Sequence, residues 1–142
     1  MKKQRCFLSW VGGKSRLAPV IVKQFPEHKT YVEVFGGAAW VLFRKEPSHV
    51  EVYNDINGDL ANLFRVVKHR PSALVERLSL ILYSRESYKE FVGEWKERPT
   101  DEVDRAASFI YVVRSAFGAK PAGGWAYGKT SKPRTVGPTL IF

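Results

Sequence analysis

The sequence predicts an α/β fold carrying a helical insertion, and three observations predict it. Tyr31–Asp59 reads as a strand, a glycine turn, a short helix and a second strand, the kind of unit from which α/β sheets are built. Four helical patterns then follow one another up to Ser115 with no strand between them, a departure from strand–helix alternation that puts a helical region outside the sheet. With 142 residues, 44% of them hydrophobic and 13% aromatic, the chain is the size of one domain with a real core.

Taken in order, Cys6–Val11 is a short apolar segment. Gly12-Gly13-Lys14-Ser15 then turns into an expected helix from Ser15 to Phe25, with Leu17, Val20 and Ile21 on one face. The Walker phosphate loop is excluded, because its first glycine would fall at Leu8. What survives is a seat for an anionic group, made by free amides at a helix start together with Lys14.

In the central stretch the strand Tyr31–Val34 breaks at Phe35-Gly36-Gly37, where glycines allow dihedrals closed to other residues and let a ligand approach the main chain. Ala38 and Ala39 follow, then the second strand Val50–Tyr53. Asp55 stands just past that strand, about twenty residues after the glycines, where a carboxylate can accept hydrogen bonds from two ribose hydroxyls. The layout suits a nucleotide-type cofactor, and the same residues also suit a plain tight turn. Asp55–Asp59 imitates the opening of a calcium loop, but its glycine would fall at Leu60 and its closing glutamate at Val66, so calcium is excluded.

Asn57 or Asp59 should cap a helix running to about Lys68, with Leu60, Leu63, Phe64 and Val67 as its apolar stripe. Further helices are expected at Ser72–Tyr83, Glu86–Lys96 and Thr100–Ser115, the last capped by Thr100. From Phe117 to Pro138 five glycines and three prolines are interleaved with Trp125, Tyr127, Lys120, Lys129, Lys132 and Arg134. Basic and aromatic side chains on such a loop suit phosphate contact and base stacking, and they suit a surface loop or hairpin equally. Thr139–Phe142 reads as the beginning of a strand.

The net charge of +9 points to a polyanion, and to nucleic acid over membrane, since no stretch has the length and apolarity of a spanning helix. Every acidic residue lies between Glu27 and Asp104, so two basic ends flank a mixed middle. Cys6 is the only cysteine, which excludes an intrachain disulfide and a cysteine zinc cluster and suits a reducing cytoplasm. The apolar run after Lys2-Lys3-Gln4-Arg5 has no cleavage-like site, so export is not expected.

Three blocks, in order and spacing, resemble the Dam-type family of DNA adenine-N6 methyltransferases. Phe7-Leu8-Ser9-Trp10-Val11-Gly12-Gly13-Lys14 is similar to the family's F-L-x-W-x-G-G-K, Val32-Glu33-Val34-Phe35-Gly36-Gly37-Ala38 to its V-E-P-F-x-G-x-G, and Asn54-Asp55-Ile56-Asn57-x-Asp59-Leu60 to its N-D-I-N-x-D-L. Val34 stands in place of the usual proline and Ala39 in place of the second glycine. The resemblance implies a Rossmann-like, S-adenosylmethionine-dependent methyltransferase fold, incomplete here, with a helical DNA-recognition insertion. It implies that Trp10 and Lys14 touch S-adenosyl-L-methionine, that Glu33, Phe35 and Gly37 shape the turn around its methionine end, and that Asp55 takes the ribose hydroxyls. It also makes the Arg114–Lys132 region a divergent target-recognition loop for double-stranded DNA, with Arg114, Lys120, Lys129, Lys132 and Arg134 as contacts.

The family's catalytic Asp/Asn-Pro-Pro-Tyr is absent from the 142 residues, so no catalytic residue is assigned. The expected organisation is a cofactor-binding part at 1–69, a helical and loop recognition region at 70–136, and the start of a truncated return strand at 137–142. The expected function is that of a site-specific adenine methyltransferase of the restriction-modification kind, truncated and inactive as given and prone to self-association through an exposed sheet edge. The alternative is a non-enzymatic nucleic-acid-binding remnant or module.

Overall fold

The computed structural model describes residues 6–121 and 123–126. The chain divides into two compact units, Met1–Ala61 and Asn62–Phe142, the division falling inside a helix. The expected segment 137–142, and with it the return strand, lies outside the described residues.

In the first unit the elements are α1 (Ala18–Val22), β1 (Thr30–Glu33), α2 (Trp40–Arg44) and β2 (Val50–Tyr53). α1 is much shorter than the expected Ser15–Phe25. Pro19 has no amide hydrogen and sits at its second position, where no intrahelical partner is needed. After Lys23 the chain unwinds through i to i−3 bonds, Gln24 N–H to Ile21 and Phe25 N–H to Val22. The helix thus starts at Ala18 and not at Ser15, and the Ala18 amide already reaches back to the Lys14 carbonyl at 2.7 Å.

β1 and β2 pair in parallel, Thr30 opposite Val50 through Glu33 opposite Tyr53. One face carries Tyr31, Glu33, Glu51 and Tyr53. The other carries Val32, Val50 and Val52, which with Val34 are 41 to 51% exposed. Parallel sheets ordinarily bury both faces, so these valines are an unusual surface. The core beneath is built from small residues, Ala18, Ala38, Ala39 and Val41 together with Leu8. Lys45 is buried beside them, its ammonium donating to Glu51, to Ser48 Oγ at 2.8 Å and to the Glu46 carbonyl at 2.9 Å, and lying 4.7 Å from the centre of the Tyr31 ring.

α3 (Gly58–His69) opens on Asn57, whose Oδ1 accepts from Asp59 N at 3.0 Å, so Asn57 is the cap. Leu60 and Leu63 are fully buried as expected, and Val66, not Val67, continues the buried stripe.

The second unit continues through α4 (Pro71–Ser79), α5 (Arg85–Glu97), α6 (Glu102–Ser115) and a 3-10 turn at Phe117–Ala119. α6 is the spine, buried nearly all round, with α4 and α5 packed on it. Phe91 of α5 stacks on Tyr111 of α6 with ring centres 4.3 Å apart. The cap of α6 is Asp101, not Thr100: its carboxylate accepts from Val103 N at 2.8 Å and Asp104 N at 3.0 Å, which holds it below the usual carboxylate range. α4 stops at Ser79, short of Tyr83, because the Tyr111 hydroxyl takes the Leu82 carbonyl at 2.8 Å and holds the connector out of the helix. Among the described residues no helix is long and apolar enough to cross a membrane, and no cluster of His, Cys, Asp and Glu could hold a metal.

Candidate functional site

Just past the carboxyl ends of the two parallel strands, the place where open α/β sheets hold ligands, a small pocket of about 20 Å³ opens. It is lined by Trp10, Gly12, Gly13 and Lys14 from the first loop and by Glu33, Gly36, Gly37, Ala38 and Trp40 from the second turn. Four of the residues expected at a cofactor, Trp10, Lys14, Glu33 and Gly37, therefore share one cavity although they are far apart in the sequence.

The turn is shaped by steric need. A Cβ on Gly36 would lie 2.1 Å from the Tyr53 ring, so only glycine fits beneath that tyrosine. Gly37 has φ +51° and Ala39 φ +54°, the left-handed region; at Ala39 an alanine accepts dihedrals that glycine takes more cheaply. The Tyr53 hydroxyl donates to the Gly37 carbonyl at 2.8 Å, Gly36 N–H to the Asn54 carbonyl at 2.9 Å, and Asn54 Nδ2 to the Val34 carbonyl at 2.8 Å.

Asp55 holds this turn directly. Its Oδ2 accepts from Gly37 N at 2.7 Å and its Oδ1 from Asn57 N at 2.8 Å. Each oxygen keeps a second lone pair, so ribose hydroxyls can still be taken. Asp55 does not line the cavity itself, and Phe35 turns outward, 81% exposed.

Glu33 is the buried charge of the site. Burial pushes its carboxyl above the usual carboxylate range, against the opposing pull of the Leu42 amide, which donates to it at 3.2 Å, of Lys14, of the Tyr31 hydroxyl and of Lys45. The neighbouring Tyr31 phenol is pushed up to about 12, by burial first and by Glu33 next. Behind the turn, Cys6 donates to the Ala38 carbonyl at 2.7 Å; burial pushes its thiol up to about 11, which makes it a poor nucleophile.

Residues 10–122 match the family described as D12 class N6 adenine-specific DNA methyltransferases. The chain belongs to this family. It is 32% identical over 96% of its length to a type II methyltransferase, M1.LlaDCHI, of Lactococcus lactis, of which it covers 52%. It is 32% identical over 82% of its length to the DNA adenine methylase of Escherichia coli K12, covering 43% of that protein. To the Haemophilus influenzae DNA adenine methylase it is 35% identical over 81% of its length, covering 42% of it. This methyltransferase-family chain spans about half the length of the relatives it matches.

The residues expected to meet DNA lie in the second unit. Arg114 is half-buried near the end of α6 and Lys120 is exposed after the 3-10 turn. Lys129, Lys132 and Arg134 lie outside the described residues. The loop between folds back on itself: Ala116 bridges Trp125 in antiparallel fashion, with Phe117 N–H donating to Gly124 at 2.9 Å and Ala126 N–H to Ser115 at 2.8 Å. Trp125 is committed to packing, its ring 5.9 Å from Tyr83 and beneath the Arg85 guanidinium at 5.5 Å.

Two residues escaped the sequence reading. Trp40 lines the pocket, and its only sequence signal is an indole set directly after the glycine–alanine turn. Phe117 is 75% exposed, whereas Trp125, which the sequence suggested for base stacking together with Tyr127, is packed; Tyr127 lies outside the described residues.

Proposed function

We propose that this chain binds S-adenosylmethionine in the pocket of its first unit, presents the Arg114–Lys132 loop to double-stranded DNA, and serves adenine-N6 methylation. The observation that carries the reading is the convergence of Trp10, Lys14, Glu33 and Gly37 on one cavity at the carboxyl ends of β1 and β2. The sheet is then the beginning of a Rossmann-like methyltransferase sheet. Lys14 meets the methionine carboxylate, Glu33 the cationic end, and Asp55 the ribose while it braces Gly37. DNA contact rests on Arg114, Lys120, Lys129, Lys132 and Arg134, and the cytoplasm is the natural place for it.

The adenine amine is a poor nucleophile, and activating it requires acceptors placed at the flipped base. Glu33 and Asp55 are occupied in the cofactor site, and no Asp-Pro or Asn-Pro pair occurs in the 142 residues. We therefore expect these residues alone to bind without transferring a methyl group. The exposed valine face of the β1–β2 sheet, and edges that pair with no further strand among the described residues, make self-association the accompanying expectation.

Calorimetry with S-adenosylhomocysteine tests the site. Asp55→Ala should weaken binding by about 1.5–3 kcal/mol, since it leaves two ribose hydroxyls and the Gly37 amide without an acceptor. Equal affinity in parent and variant would refute the assignment.

A further inference from the structure

The candidate cavity is smaller than the ligand assigned to it. Its 20 Å³ admits one water, whereas pockets that bury small-molecule ligands run to about 300–1,000 Å³. Glu33 is 7% exposed and lines this cavity, so a ligand's cationic end reaches it only if the walls part. Those walls are held together by two indole edges. A Cβ on Gly13 would lie 3.0 Å from Nε1 and 3.2 Å from Cδ1 of Trp40, and a Cβ on Gly37 would lie 3.4 Å from Cδ1 of Trp10. Each tryptophan thus packs its pyrrole edge on a glycine of the other turn.

The two turns are anchored differently. The second is tied to the end of β2: Gly37 takes the Tyr53 hydroxyl on its carbonyl and gives its amide to Asp55, while Gly36 N–H donates to Asn54 and Asn54 Nδ2 to Val34. The first closes on itself through Gly13 N–H to the Trp10 carbonyl at 3.0 Å. At its apex Gly12 has φ +75°, with no atom within 4 Å of the place a Cβ would take. A glycine in open space can absorb a change of chain direction, so the first turn can swing while the second stays.

Resting on the cofactor reading above, we propose that residues 10–14 form a lid, latched shut by the Trp40 indole on Gly13, that must swing out before the cofactor's methionine end reaches Glu33. The returning lid then brings Lys14 onto the ligand. Closure in the free chain lowers the apparent affinity by the fraction of time the lid stands open.

Stopped-flow tryptophan fluorescence with S-adenosylhomocysteine tests the lid on the 142-residue chain. In the parent the observed rate should level off as ligand rises, because opening becomes limiting. Trp40→Ala, with Trp10 still reporting, should remove that plateau. It should also raise the association rate constant at low ligand by about 10- to 1,000-fold, the reciprocal of an open population of about 0.1–10%. A Trp40 that only supports the fold would alter stability and dissociation without speeding association. An unchanged association rate in the folded variant would overturn the lid. So would a parent rate that climbs linearly with ligand throughout, a readout that stands even if Trp40→Ala misfolds. In both cases equilibrium binding by the parent leaves the cofactor site standing; a parent that binds nothing at equilibrium would remove site and lid together.

Discussion

The two units reach stability by opposite means. The second surrounds one helix with others, and its core is made of large side chains, Phe109, Ile110, Tyr111 and Leu74, all fully buried. The first has a core in which alanines and Val41 stand beside only two large buried side chains, Leu8 and Leu60, among the described residues, with a two-stranded parallel sheet carrying one face of exposed valines and a buried carboxylate beside the pocket. Large buried side chains make a self-sufficient unit. Small ones leave room for a ligand and leave stability dependent on what covers the sheet. The candidate pocket sits where the packing is thinnest.

The sharpest way to break the contrast is to empty the rich core. Phe109→Ala should cost about 3–5 kcal/mol, seen in denaturant unfolding; a loss below about 1 kcal/mol would mean α6 is less central than its burial shows. Next comes overfilling the sparse unit. Gly36→Ala forces a methyl into the Tyr53 ring and should destabilise by about 1–3 kcal/mol, with ligand binding lost alongside, and unchanged binding would show that the turn can yield.

A charge-neutral variant of Lys120, Lys129, Lys132 and Arg134 probes the second unit's charge instead of its core. The slope of log affinity for duplex DNA against log salt should shrink by roughly 0.9 for each phosphate contact removed. An unchanged slope would mean the loop faces elsewhere.

The smallest effect is at Glu33. Because its folded-state carboxyl titrates above the usual range, the native state holds the proton more tightly than the unfolded chain. That contribution is complete below the unfolded pKa and is lost as pH rises through the folded one. Melting temperatures followed upward from about pH 4 should therefore decline in the parent through that window and stay flatter in Glu33→Gln, whose amide oxygen can still accept from Leu42. Parallel curves would show that burial does not raise the Glu33 carboxyl.

What could be read in the sequence follows the same division. β2 lies where expected, at Val50–Tyr53, and α5 agrees to one residue at each end, because period and cap signals are local. The glycines of the pocket were visible as a pattern, and their partners were not: that Gly36 must admit Tyr53, or Gly13 admit Trp40, depends on contacts that no spacing encodes. The misplaced ends have equally specific causes. Pro19 shortened α1, Asp101 outcompeted Thr100 as a cap, and the Tyr111 hydroxyl stopped α4 by capturing a carbonyl 29 residues away in sequence. Asp55, expected as a ligand group, braces the turn through the Gly37 amide, a role hidden in the sequence because the turn it holds is recognisable there only as two glycines.

Lys45 has a practical consequence. Its side chain is 2% exposed and its ammonium is fully engaged between β2 and the end of α2. An amine-reactive reagent reaches the exposed Lys14 and Lys120 at once, whereas Lys45 becomes reactive only when β2 leaves its place. Timed acylation read by mass spectrometry at that single residue would serve as a clock for sheet opening, and its slowing on addition of cofactor or a sheet-covering partner would report how far each one closes the first unit.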